Sequence, residues 1–305
     1  MQESLFTVAK LDDFVPADHP LRSIRTLVNE ALGRLNSLFN MIYADRGRDS
    51  IAPEKLMRAL LLQVFYSIRS ERQLMEQMRY NLLFRWFVGL SLEDTVWNHS
   101  VFSKNRDRLF ENEVIESFFT EVMRQADRQG LLSKEHFSVD GTLIQAWASQ
   151  KSFRPKDGSN DQTPNGGGRN AQADWKGRPR SNDTHASTTD PEARLYRKSN
   201  NTASILSYQG HVLMENHSGL VVSAVVTHAD GTGEREAAIR MLDCVPGTHP
   251  KTVGADKAYD TADFIAACRQ RNVTPHVAQN EGRRGGSAID GRTTRHDGYR
   301  ISQVI

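Results

Sequence analysis

Two acidic residues stand where chemistry could be done. Asp140 lies in the stretch Phe137-Ser138-Val139-Asp140-Gly141-Thr142-Leu143-Ile144-Gln145, and Asp256 follows Thr252-Val253-Gly254-Ala255 directly. In an extended chain Phe137 and Val139 point one way and Ser138 and Asp140 the other, the period of two that marks a strand. An Asp in mid-strand between Val139 and Gly141 is poor strand chemistry. Two accounts of it stand open: a bound cation compensates its desolvation, or it ends the strand and caps a turn onto Gly141. The two acids are 116 residues apart, so only folding can join them. If their strands are neighbours, both carboxylates meet at one sheet edge, where they repel unless a cation lies between them. Mg²⁺ is the expected cation, being hard and content with few protein ligands plus phosphate oxygens. A pair of such ions about 4 Å apart can activate a water or hydroxyl and stabilise the leaving oxygen in phosphodiester cleavage.

The elements that must position these acids can be followed along the chain. Residues 1–20 are an extended lead-in with Pro16 and Pro20. Apolar residues from Leu21 to Leu38 fall at helical spacing, a second helix follows Pro53, and Ser70 caps a third with Gln73 placed for a capping box. The run Asn81–Val88 stops at Gly89, and further helices span about 100–110 and 112–129, the last stopped by Gly130. Residues 1–130 therefore read as an all-helical domain. Within it a short helix, a turn near Asp94 and a helix bearing Lys104, Arg106 and Arg108 resemble a helix-turn-helix reader of DNA. A solvated basic face on a packing helix is the other account of that segment.

Residues 131–305 read as a second domain. After the Asp140 strand, residues 150–203 turn polar, with Gly166–Gly168 at the centre and ten Lys/Arg against six Asp/Glu between 151 and 203. A flexible insertion without a packed core is expected, whose charge suits either phosphate contact or plain solvation. A hairpin over 204–228, a helix at Glu234–Leu242, a short buried strand before Asp256, a helix at 261–271 and a strand at 274–278 follow, with a Gly/Arg-rich loop from Glu281 and no helix after that strand. This order implies a mixed sheet with helices packed on it, α+β or α/β in class.

Composition narrows the classes. Net charge is only +2, so nucleic-acid affinity must come from local basic patches. Cys244 and Cys268 lack metal-type spacing and suit a reducing cytosol. No basic region followed by an apolar run opens the chain, and no apolar run is long enough to span a bilayer. His211, His217, His228 and His249 show no zinc spacing.

Phe137–Ala148 and Gly254-Ala255-Asp256-Lys257-Ala258-Tyr259-Asp260 resemble the first and second acidic blocks of DDE transposases of bacterial insertion sequences. Arg85-Trp86-Phe87-Val88-Gly89, Val96–Ser100, His276–Asn280 and Ser287–His296 resemble further blocks of the same group. The resemblance implies a helical N-terminal domain over 1–130 for DNA binding and dimerisation. It also implies a ribonuclease-H-like catalytic domain over 131–305, with Asp140 and Asp256 as catalytic, metal-binding acids. Mg²⁺ or Mn²⁺ would be the cofactor, double-stranded DNA at element ends and target the partner, and the work DNA cleavage and transfer by a homo-oligomer in the nucleoid. Lys257 and Tyr259 are expected near substrate phosphate, and Asp260 as the cap of the following helix. The family's third acid is a Glu on a helix after the fifth strand, beyond the block matching Gly298–Gln303. The expectation here is a C-terminally truncated chain, either weakened in catalysis or reduced to a DNA-binding remnant, with Glu281 and Asp290 the poor substitutes on offer.

Overall fold

The computed structural model describes residues 10–43, 50–158, 180–197 and 202–303. Gly166–Gly168, Arg169, Lys176, Arg178 and Lys198 of the polar stretch lie outside these residues. The chain forms two compact units, Met1–Gly130 and Leu131–Ile305.

The first unit is helical: α1 (Pro20–Arg34), α2 (Asn36–Ile42), α3 (Pro53–Phe65), α4 (Glu71–Tyr80), α5 (Leu82–Val88), α6 (His99–Glu111) and α7 (Val114–Arg128). The apolar stripe read as one helix from Leu21 breaks at Leu35 into α1 and α2. Pro20 and Pro53 open their helices at the first position, where a missing N–H costs nothing. Ser70 caps α4 through Gln73 N–H at 3.2 Å. Leu32, Leu56, Leu62, Phe87, Phe102 and Leu109 are fully buried in one core. Arg85 is also buried, and its guanidinium donates to the carbonyls of Met78, Ser91, Leu92 and Asp94. That charge fixes the connection from α5 to α6, which takes ten residues, Gly89 to Asn98. A helix-turn-helix needs only three or four, so the helix-turn-helix reading is corrected here.

The second unit contains β1 (His136–Gln145), β2 (Phe153–Pro155), β3 (His185–Ser187), β4 (Arg194–Tyr196), β5 (Ile205–Glu215), β6 (Val221–His228), α8 (Gly233–Asp243), β7 (Lys251–Ala255), α9 (Ala262–Gln270), β8 (Val273–Val277), α10 (Gly291–Thr294) and α11 (Asp297–Ser302). β1, β5 and β6 are antiparallel neighbours, while β7 and β8 run parallel to β1 on its other side. The sheet order is β4-β5-β1-β7-β8, with β6 also on β5. This is the expected mixed sheet with crossover helices. Phe137, Val139, Leu213 and Val253 bury one sheet face against Ala238 and Met241 of α8 and Phe264, Ile265 and Cys268 of α9.

Two expectations are corrected. The stretch 150–203 is not wholly coreless: Phe153 and Ala193 pack with Ala146 and Leu206, β2 pairs with β3, and β4 extends the main sheet. Two short helices, α10 and α11, do follow β8. Tyr299 of α11 is buried and donates its hydroxyl to the Val277 carbonyl at 3.0 Å, which seats the segment on the end of β8.

Candidate functional site

Residues of β1 and β7 pair in parallel as His136 with Thr252, Phe137 with Val253 and Ser138 with Gly254. Asp140 and Asp256 each lie two residues beyond the last pair, so they share one phase of the pleat. Neighbouring strands run about 4.8 Å apart; Asp256 lies just past the carboxyl end of β7, and Asp140 lies mid-strand in β1, which runs on to Gln145. Both are exposed. Open α/β sheets bind ligands at such strand ends.

Each carboxylate is turned onto nearby backbone. Asp140 Oδ1 accepts from Gly141 N–H at 2.7 Å, and Asp256 Oδ1 accepts from Ala258 N–H at 2.8 Å in a 3-10 turn over Lys257–Tyr259. The donors are oxygen only and solvent-facing, which fits a hard divalent ion held by two carboxylates, water and phosphate rather than a closed protein cage. No three His, Cys, Asp or Glu side chains among the described residues stand together as a ready-made metal cluster.

Lys257 is exposed beside Asp256. Tyr259 corrects an expectation: only 1% of it is exposed, and its ring packs edge-on against Phe264 at 5.3 Å, so it does not face a phosphate. Its hydroxyl has no hydrogen-bond partner. Burial, and then the charges of Glu234, Asp256 and Asp140, push its pKa well above the usual tyrosine value. Asp260 is also corrected. The cap of α9 is Thr261, through Phe264 N–H at 3.3 Å. Asp260 is buried instead, and accepts from Asn280 N–H at 2.7 Å and Ala288 N–H at 2.9 Å. Burial opposes its charge, and hydrogen bonds from Ser287, Asn280 and Ala288 overcome that, leaving its pKa below the ordinary value.

Asp290 caps α10 and is held by Arg292 and Arg269, while Glu281 lies exposed in a turn. The acid that sequence reasoning passed over is Glu234, in the first turn of α8. An acid there reads as ordinary helix-dipole chemistry. Its position is tertiary: a Cβ built on Gly141 would lie 3.0 Å from Glu234 Oε1 and 3.2 Å from His211 Nδ1.

In the first unit Lys104 and Arg108 are exposed on α6. Arg106 is engaged by Glu71 and, at 2.7 Å, by Asp107. Arg108 stacks over Tyr43 at 5.2 Å.

Comparison with known proteins places these observations. The family model described as Transposase domain (DUF772) matches residues 9–108, and the Transposase DDE domain matches residues 132–302. No curated protein matches the chain. A cryo-EM structure of piggyBac transposase in a synaptic complex with hairpin DNA is 11% identical, over 82% of this chain and 47% of that one, with a TM-score of 0.33. The Mos1 transposase paired-end complex with the left transposon end is 11% identical, over 76% of this chain and 62% of that one, with a TM-score of 0.23. The chain thus spans about half to three-fifths of the length of these two.

Proposed function

The chain belongs to the transposase DDE domain family, which its match over residues 132–302 shows, and from that premise we propose that it binds the DNA ends of an insertion element and cuts and joins their strands. Members of this family generally work with a divalent metal ion. Mg²⁺ is the ion we assign, with Mn²⁺ able to replace it, on the oxygen-only character of the donors. The observation that carries the reading is the common phase of Asp140 and Asp256, each two residues beyond the last pair of the parallel neighbours β1 and β7.

Asp140 and Asp256 would hold the ion. When bound, it would supply charge for the nucleophilic and leaving oxygens of the phosphodiester. The protein contributes the rest from fixed positions. β1 and β7 set the spacing of the two carboxylates, and the 3-10 turn after Asp256 holds its side chain at the strand end. Lys257, exposed next to Asp256, suits a DNA phosphate as a mobile point charge. On the helical unit Lys104 and Arg108 present exposed positive charges of α6 and are assigned to DNA backbone; Arg106 serves α6 chiefly by anchoring Glu71. A dimer on DNA would bring two element ends together.

The test uses duplexes from the genomic flanks of the gene. We expect the chain to shift a flank duplex and, with Mg²⁺, to cleave it. Asp140→Asn and Asp256→Asn should each cut cleavage by 100-fold or more while the shift persists. Binding without cleavage by the unaltered chain would assign it a DNA-binding role alone, and cleavage unaffected by either substitution would remove these acids from the mechanism.

A further inference from the structure

We propose that Glu234 supplies a third carboxylate to the divalent-metal site of Asp140 and Asp256, reaching it across Gly141. The inference rests on the reading of those two acids as metal ligands and adds to it a residue on a different element.

Glu234 and Asp140 approach one residue from two sides. Asp140 leans onto Gly141 N–H at 2.7 Å. Glu234 Oε1 lies 3.0 Å from where a Cβ of Gly141 would stand. Asp140 and Gly141 point to opposite faces of β1, so an acid on the α8 side would ordinarily be kept away by a side chain at 141. Glycine removes that obstacle and lets the carboxylate come down to the backbone of the residue that follows Asp140. Gln209, itself buried, donates Nε2 to Glu234 Oε1 at 3.3 Å and holds it there. The first turn of α8 is tied to the Asp256 loop as well: Arg235 Nη1 donates to the Ala258 carbonyl at 3.3 Å, while the Ala258 N–H goes to Asp256.

Two buried polar groups in this region have no partners. The Tyr259 hydroxyl, in a side chain 1% exposed, has no hydrogen bond and lies in the joint field of Glu234, Asp256 and Asp140. His211, also 1% exposed, places Nε2 on Thr227 Oγ1 at 2.8 Å and leaves Nδ1 unpaired, 3.2 Å from the same Gly141 Cβ position. A buried polar group without a partner is costly to the fold. With His211 Nδ1 beside Glu234 at Gly141 and the Tyr259 hydroxyl in the field of the acids, these two groups mark a place that can receive something polar. A cation drawing the acids together by side-chain rotation satisfies all of it, since the repulsion among them turns into ligation.

The test is Mn²⁺ alone titrated into the full chain by calorimetry, with folding followed by circular dichroism. Wild type and Glu236→Gln, an exposed acid in the same turn, should bind alike. Glu234→Gln keeps the acceptor for Gln209 and removes only the charge; it should weaken Mn²⁺ binding tenfold or more. Should that variant fail to fold, Glu234→Asp retracts the carboxylate by one methylene and should weaken binding at least threefold. Mn²⁺ affinity that is unchanged in the folded Glu234 variant, but lost in Asp140→Asn, overturns this proposal and leaves the two-acid reading standing. A wild-type chain that binds no Mn²⁺ overturns both.

Discussion

A few side chains in the second unit spend their charge on structure, and they are separable from the acids assigned to chemistry. Glu215 is fully buried at the end of β5 and accepts from Ser133, Ser218 and the His217 N–H. Burial opposes its charge, but the hydroxyl and N–H donors prevail and bring its pKa from 4.5 to about 2. A carboxyl lowered in the folded state stabilises above its unfolded pKa and loses that contribution as pH falls through the window from about 4.5 toward 2. Glu215→Gln should therefore melt lower than wild type at pH 7, and the gap should narrow in melts run below pH 4. Asp260→Ala strands the N–H groups of Asn280 and Ala288. It should cost about 2–3 kcal/mol in denaturant unfolding, whereas Asp256→Asn, at an exposed position, should cost under 1 kcal/mol. Equal losses at 256 and 260 would contradict this division of labour. The same contrast shows what sequence alone could separate. Asp256 and Asp260 share one short block, and the strand before Asp256 was legible from its apolar run. That Asp260 turns inward while Asp256 stays outside depends on the 3-10 turn and on the 280–288 loop, which no local pattern announces.

Among the elements, β1 carries most of the account. Its alternation is plain in the residues: Phe137, Val139 and Gly141 are buried, and Ser138, Asp140 and Thr142 are not. The hairpin of β5 and β6, the Pro-opened helices α1 and α3 and the Ser70-capped α4 were equally readable, because each rests on local spacing or a local hydrogen bond. β4 was not, since a three-residue edge strand inside a polar stretch gains its stability from β5 and not from its own composition. Nor was the reach of α8 to β1, where the informative residue is the absence of a side chain at 141. Gly141→Ala should therefore push against Glu234 Oε1 and His211 Nδ1, and is expected to destabilise the chain by about 1–3 kcal/mol; a melting temperature equal to wild type would remove the close approach. On α6, Lys104→Ala and Arg108→Ala should each weaken DNA binding in a gel-shift titration and lower its salt slope by about one. Arg106→Ala should act mainly on stability, through the loss of its partner Glu71. A salt slope unchanged in both Lys104→Ala and Arg108→Ala would take α6 out of the DNA contact.

At the scale of the whole molecule, each unit has its own core. The helical unit is built around Leu56, Leu62 and Phe102, and the sheet unit around Phe137, Leu213 and Val253. The first unit matches one transposase family model and the second another. No helix among the described residues is long and apolar enough to cross a membrane. Net charge near neutrality leaves DNA affinity to local groups, which makes the assignments on α6 and at Lys257 testable one residue at a time. In the proposed site the two acids owe their common phase to sheet topology: 116 residues of chain fold so that β1 and β7 pair in parallel just before each acid. The most direct measurement of that joint site is a double-mutant cycle in Mn²⁺ affinity on the full chain, with Asp140→Asn, Asp256→Asn and the pair. Two ligands of one ion must couple, so each single variant should lose at least tenfold and the double little more than either. Losses that multiply independently, or a single variant that binds Mn²⁺ like wild type, would show that Asp140 and Asp256 do not share an ion.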